Sequence, residues 1–136
     1  MSVFFPATIH RRQRCPYVRS TVPLLAGLLS LTASAAVLDP PSLRCASVDV
    51  IGDVTLTWVV PLDPTNIFLE YRIYESSVEA GPYAVVGTVN VYGLNTFTHA
   101  GAGADTGPRY YFMTTVTVDP EPNESFASDT LATIFL

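Results

Sequence analysis

The sequence contains no lysine. Its seven basic residues are all arginines, and only 14% of its 136 residues are charged. Without lysine, neither a Schiff-base nucleophile nor a phosphate-binding lysine loop is available. Histidine is equally scarce, since His99 is the only one beyond residue 36, and no serine–histidine–aspartate motif surrounds it. We therefore expect a protein that is not an enzyme and has no catalytic residue.

Cysteine is limited to Cys15 and Cys45. Zinc sites use three or four closely spaced ligands, and Cys45 lies far from His99 in the sequence, so we expect no metal and no cofactor. Cys45 has no partner for an intramolecular disulfide beyond residue 36. Alternation along Leu43–Val48 places it on the same face as Leu43, and free cysteines are mostly buried, so we expect Cys45 to be buried.

Acidic residues are missing from the start of the chain, where the first is Asp39. An uncharged apolar run, Val22–Val37, follows four arginines and ends in the small residues Ala33–Ala35. This order is typical of a secretory signal peptide, and the run is too short and too interrupted by Pro23 for a stable membrane span. We predict a signal peptide over residues 1–36, and an exported domain over residues 37–136 that is secreted or held at the cell surface.

The predicted exported domain is strongly acidic. It has three arginines against twelve acidic residues, a net charge of −9. Nucleic acids and anionic membranes attract basic surfaces, so neither is expected as a partner.

Proline and glycine recur along residues 37–136, between short segments of alternating apolar and polar residues. No helical period is present. This pattern predicts an all-β sandwich of seven short strands, because a single sheet of this size cannot bury its apolar face alone. The predicted strands are Ser42–Val48, Val54–Val59, Phe68–Glu75, Tyr83–Val89, Thr96–His99, Arg109–Val118 and Ser128–Leu136.

Three of these strands carry large core-forming residues at fixed spacings: Val54-x-Leu-x-Trp58, Phe68-x-x-Tyr71-x-Ile73 and Tyr110-x-Phe112. With these motifs, residues 37–136 resemble a fibronectin type III domain. The resemblance implies a seven-stranded, two-sheet immunoglobulin-like sandwich. It also implies that Tyr110 is a tyrosine-corner residue, with its hydroxyl bonded to the backbone a few residues upstream. The implied core residues are Trp58, Tyr71, Ile73, Tyr110 and Phe112.

A second resemblance concerns where such a domain occurs. The segments Gly52–Trp58, Gly81–Tyr83 and Ser128–Leu131 are similar to fibronectin-type modules that precede C-terminal sorting domains in surface proteins of gliding bacteria. The chain ends on apolar residues, which is unusual for a free terminus. We therefore expect adjacent domains in a longer protein.

Two features are candidates for a binding surface. The segment Asp119–Ser125 is rich in acids and proline, and alternation places Tyr74 opposite Ile73 and Tyr111 opposite Tyr110. The alternatives are a solvated turn for the acidic segment and cross-strand packing for the tyrosines. The candidate residues are Tyr74, Tyr111, Asp119, Glu121 and Glu124.

Together these features predict a non-enzymatic exported module that serves as a spacer, an adhesion unit or a protein-interaction domain at the cell surface. Its partner would be a protein or a glycan. One alternative is a carbohydrate-binding module that uses exposed aromatic residues. A more remote alternative is a small secreted hydrolase, which would need a buried carboxylate in a cleft.

Overall fold

The structure, a computed structural model, describes residues 37–118 and 122–134. The predicted signal peptide, Asp119 and Glu121 lie outside these ranges. Within the described ranges there is no helix long and apolar enough to cross a membrane.

All regular elements of the described residues are β-strands. Short alternating segments form them, as in Val54–Val59, where Val54, Leu56 and Trp58 are buried and the threonines between them are half-buried. The strands are β1 (Ser42–Val48), β2 (Val54–Val59), β3 (Phe68–Ser76), β4 (Ala84–Val89), β5 (Thr96–His99), β6 (Tyr110–Thr117), β7 (Asn123–Glu124) and β8 (Leu131–Ala132).

Two antiparallel sheets make up the fold. One has the order β1-β2-β5, and the other has the order β4-β3-β6-β7, with β8 also pairing to β6. Their inner faces pack against each other, with Trp58 from one sheet touching Tyr71 from the other at a ring-centroid distance of 5.8 Å. The prediction of an all-β, two-sheet sandwich is confirmed, and its first six strands lie within one residue of their predicted bounds.

Of the seventh predicted strand, Ser128–Leu136, the structure describes residues up to Ile134, and among these only Leu131–Ala132 form a strand. Two short strands, β7 and β8, share its place beside β6. Between and after them, three hydroxyls replace backbone acceptors. Ser125 Oγ accepts from the N–H of Thr115, Ser128 Oγ from that of Met113, and Thr133 Oγ1 from that of Arg109, at 2.8–2.9 Å. The backbone N–H groups of the same three residues donate to the carbonyls of Thr115, Met113 and Arg109. This segment therefore provides hydrogen-bond partners for the backbone N–H and C=O groups at the edge of β6 where regular strand pairing stops.

The core contains Trp58, Tyr71 and Ile73, all no more than 2% exposed. On β6 the inward side is not the one predicted: Tyr111 and Met113 are fully buried, while Tyr110 and Phe112 are half-buried on the opposite face. The reason is strand pairing. Directly opposite residues share a face, and β6 pairs with β3 so that Met113 lies opposite the buried Ile73.

Cys45 is exposed, not buried as predicted. The pairing of β1 with β2 shifts between Leu43 and Cys45. A bulge of this kind adds a residue and changes which side chains point inward, so Cys45 does not share the inward face of Leu43.

Candidate functional site

Three aromatic rings form a row on the outer face of the five-stranded sheet. Tyr74 of β3 lies opposite Phe112 of β6 in the pairing register, and their rings stack with centroids 4.6 Å apart and planes 15° from parallel. Tyr83, which precedes β4, packs on Phe112 at 4.9 Å. All three are half-buried. Aromatic residues in such a cross-strand arrangement stabilise the sheet, and here they cover part of one another's faces.

A polar network continues this row toward β7, with Glu124 at its centre. The Tyr74 hydroxyl donates to Glu124 Oε1 at 2.5 Å, and the Thr114 hydroxyl donates to the same oxygen at 2.6 Å. Arg72 Nη1 lies 2.9 Å from Glu124 Oε2, and its Nε lies 2.8 Å from Glu70 Oε1. Both oxygens of Glu124 are thus engaged.

These contacts shift the pKa values of Glu124 and Tyr74, whose side chains are hydrogen-bonded to each other. Burial favours the neutral form of Glu124, but hydrogen bonds from Thr114 and Tyr74 and the charge of Arg72 outweigh it and hold the pKa of this carboxyl below its usual value. Burial, together with the hydrogen bond to Glu124, raises the pKa of Tyr74. At neutral pH the site therefore consists of a charged carboxylate held by a neutral phenol and a guanidinium.

The structure brings together only part of the predicted binding surface. Tyr74 and Glu124 are in direct contact. Tyr111 is fully buried and contributes nothing to a surface, which corrects the prediction that it faces outward. Asp119 and Glu121 lie outside the described residues.

Sequence reasoning missed Arg72 and Thr114. Arg72 is two residues before Tyr74 and Thr114 two residues after Phe112, so strand alternation alone places each beside an aromatic residue of the row. That signal was available. Their convergence on Glu124 was not, because it depends on the pairing of β7 with β6.

The carboxylates of β3 lie apart from each other. Glu70 is on the outer face with Arg72, whereas Glu75 lies opposite the buried Tyr111 in the register and is 3.5 Å from Arg109. A pair of carboxylates acting on one bond must share a cleft. Glu70 and Glu75 do not. Among the described residues, no group of three or more histidine, cysteine or acidic side chains is arranged to hold a metal ion.

Comparison with known proteins identifies the fold. The sequence matches no protein-family model and has no significant match among curated proteins. Solved structures do match. One is a Fn3-like protein from Clostridium thermocellum, with 21% identity, a TM-score of 0.52 and coverage of 75% of this chain and 94% of that one. The chain folds as a fibronectin type III-like sandwich.

Similar sandwiches are found within longer chains. A β-1,2-glucanase from Parabacteroides distasonis matches with 25% identity and a TM-score of 0.59 over 75% of this chain, which spans only 13% of the glucanase chain. The twitchin kinase region from C. elegans matches with 16% identity and a TM-score of 0.59 over 74% of this chain and 17% of that one.

This fibronectin type III-like sandwich lacks the predicted tyrosine corner at Tyr110, which is half-buried on the outer face. The buried tyrosine of β6 is Tyr111, and its hydroxyl lies 3.0 Å from Nδ1 of His99 rather than at a backbone group. Since His99 is on β5 and Tyr111 on β6, the bond joins the two sheets. His99 therefore has a structural partner.

Proposed function

We propose that the chain is a non-enzymatic module that serves as a spacer or protein-interaction domain at the cell surface. The observation that carries the proposal is the way similar sandwiches occur. The matching region is 13% of a glucanase chain and 17% of a kinase-region chain, yet 94% of a Fn3-like chain. A fold that recurs beside such different activities is not itself the source of any of them.

The interior of the sandwich supports this proposal. The space between the sheets holds Trp58, Tyr71, Tyr111 and Met113, which are almost completely buried. Side chains that fill the interior stabilise the fold and leave no room there for a substrate. The two carboxylates of β3 are held in ion pairs on opposite faces, Glu70 with Arg72 and Glu75 with Arg109.

A turnover assay tests the non-enzymatic part of the proposal. The purified full chain is incubated with β-1,2-glucan, polygalacturonate and chromogenic glycosides, and reducing ends are measured. We expect no release above buffer. Release that disappears in Glu75→Gln or Glu124→Gln, but persists in the matched exposed variant Glu79→Gln, would replace the module with the hydrolase alternative.

Export is tested separately. The full chain is produced in a secreting bacterial host, and the exported product is sequenced from its N-terminus. We expect it to begin at Ala36 or Val37, after cleavage behind Ala35 or Ala36. A full-length product retained in the cytoplasm contradicts export and leaves the non-enzymatic proposal unaffected.

Carbohydrate binding is the second candidate function. The aromatic row Tyr74–Phe112–Tyr83 favours it, and similar sandwiches occur in a β-1,2-glucanase and in a pectate lyase from Pectobacterium carotovorum, the latter at a TM-score of 0.50. Against it, stacking of Tyr74 on Phe112 covers ring faces that a sugar would use.

Affinity electrophoresis in gels containing β-1,2-glucan or polygalacturonate tests this candidate. Specific retardation of the full chain that is lost in Phe112→Ala, but kept in Phe126→Ala, supports a sugar site, because Phe126 is 92% exposed and has no ring partner among the described residues. Unretarded migration in both gels rules it out for these polymers.

A further inference from the structure

Strand β1 is an edge of the three-stranded sheet. It pairs with β2 on one side, and within the described residues no other strand pairs with it. An edge strand presents a row of unpaired backbone N–H and C=O groups, which another extended chain can use. Proteins commonly protect such an edge with charge or proline, and between Ser42 and Val48 the only charged residue is Arg44.

A groove runs beside the second half of β1. It is an open cavity of about 700 Å³. Five of its lining residues are apolar and two are carboxylates: Ala46, Val48, Val50, Ala104, Ile134, Asp49 and Asp105. Val50 is 97% exposed and Ile134 is 76% exposed. Large apolar side chains gathered at one surface depression are characteristic of an interaction site rather than of ordinary surface.

The charge of the groove is of one sign. Asp49 and Asp105 line it, and no arginine does within the described part of the chain. Arg72 is engaged by Glu70 and Glu124, and Arg109 by Glu75. The third arginine of the described residues, Arg44, lies in the first half of β1 and does not line the groove. Asp49 accepts N–H bonds from Ile51 and Asp53, which fixes its carboxylate at this end of the sandwich. The groove therefore complements a cation.

We propose that β1 and this groove bind an extended segment of another polypeptide by strand addition. The backbone of that segment pairs with the free edge of β1, its apolar side chains enter the groove, and a lysine or arginine meets Asp49 and Asp105. The inference rests on the proposed interaction function and specifies its surface and its class of partner.

A basic segment fits this surface better than a second copy of the chain. The described residues carry three arginines against ten acidic residues. Two such surfaces repel each other, whereas a lysine-bearing segment is attracted. The backbone edge also distinguishes a polypeptide from a glycan, since only a polypeptide offers the regular alternation of donors and acceptors that β1 can pair with.

The test is an NMR titration of the isotopically labelled full chain. The probe is a short peptide with blocked ends that alternates valine and threonine and carries two lysines. We expect shifts concentrated at the amides of β1, Asp49, Val50 and Ala104. Control peptides replace the lysines with glutamates, or place a proline at the centre, where it removes a backbone donor. Both controls should bind more weakly than the lysine peptide.

Matched variants locate the site. Asp105→Asn should weaken binding up to about fivefold at low salt, as one partly screened ion pair does, whereas Glu79→Gln in the β3–β4 turn should not. Val50→Lys should abolish measurable binding by adding a cation to the groove. Leu62→Lys, at another exposed apolar residue, should leave binding unchanged.

Five outcomes overturn the proposal. Four of them are an unshifted spectrum of a folded chain, shifts on the Tyr74–Phe112 face instead, equal binding of all three peptides, and a dimer of the free chain mediated by the groove. Binding that appears only in a Phe135→Ser, Leu136→Ser double variant also overturns it, because the groove would then hold the chain's own end. The turnover and export assays test the proposed function independently of each of these results.

Discussion

The hydroxyl of Tyr111 lies 3.0 Å from Nδ1 of His99, and this bond connects the two sheets through the interior of the sandwich. The two rings are arranged edge to face, with their centroids 6.0 Å apart. Burial, and after it the charge of Glu75, raises the pKa of Tyr111, so the phenol stays protonated and available as a donor at neutral pH.

Tyr111→Phe should lower the free energy of unfolding by about 1–2 kcal/mol, because it removes the hydroxyl and leaves the His99 nitrogen without this partner. Denaturant unfolding of the full chain measures the change. The neighbouring variant Tyr110→Phe is the control and should stay within about 0.5 kcal/mol, since Tyr110 is only half-buried. A larger loss in Tyr110→Phe than in Tyr111→Phe would support the predicted inward placement of Tyr110.

Gly87→Ala should destabilise the fold by about 1–3 kcal/mol. A Cβ built at Gly87 would lie 2.3 Å from Cζ of Phe97 across the sandwich, so the ring would have to move. Gly93→Ala is the matched control, because its Cβ would meet nothing within 4 Å. Thermal unfolding of both variants checks the difference, and equal melting temperatures would contradict the close approach of Phe97.

Glu124→Gln should cost stability at neutral pH and little in acid. The pKa of Glu124 is lower in the folded chain than its usual value, so its contribution is complete only above about pH 5 and is lost as pH falls through the lower folded value. The difference in unfolding free energy between the parent chain and Glu124→Gln should therefore shrink from neutral pH to strong acid. Glu79→Gln, at an exposed turn position, is the control and should change the free energy of unfolding by less than about 0.5 kcal/mol at neutral pH. A difference that grows in acid would show that the pKa of Glu124 is raised in the folded chain rather than lowered.

Ser128→Ala should remove a hydrogen bond at the edge of β6 and lower the free energy of unfolding. Ser128 Oγ accepts the N–H of Met113, and without it that buried amide loses its partner, at a cost of about 1–3 kcal/mol. Hydrogen exchange at the Met113 amide should accelerate with the loss of stability. Ser77→Ala, at an exposed position, should leave this amide unchanged. An unchanged Met113 amide in Ser128→Ala would show that the hydroxyl does not hold the edge.

Much of the fold could be predicted from local pattern. Alternation in Val54–Val59 and proline and glycine between the strands define β1–β6 closely, because each strand has one buried face and each turn needs residues that end a strand. The final strand could not be predicted in the same way. Here side-chain hydroxyls accept hydrogen bonds from the backbone of β6, at Ser125, Ser128 and Thr133. Hydroxyls that replace backbone acceptors in this way leave no periodic pattern in the sequence.

The candidate site, too, could be predicted only in part from the sequence. Tyr74 and Glu124 were identifiable as surface candidates, but their contact depends on β7 lying beside β6, fifty residues from Tyr74 in sequence. The placement of Tyr111 failed because Tyr110–Met113 is apolar throughout. A run without polar residues satisfies either face equally, so local alternation cannot choose its register.

The sequence by itself determined the strand content, the acidic character of residues 37–136 and the burial of Trp58, because these follow from composition and local alternation. The tertiary structure alone decided which tyrosine of β6 is buried, that Cys45 is exposed and which side chains surround Glu124. Those features depend on the register between strands distant in the chain. A shift of one residue reverses the face of every side chain, and only the packed partner, here Ile73 opposite Met113, excludes that shift.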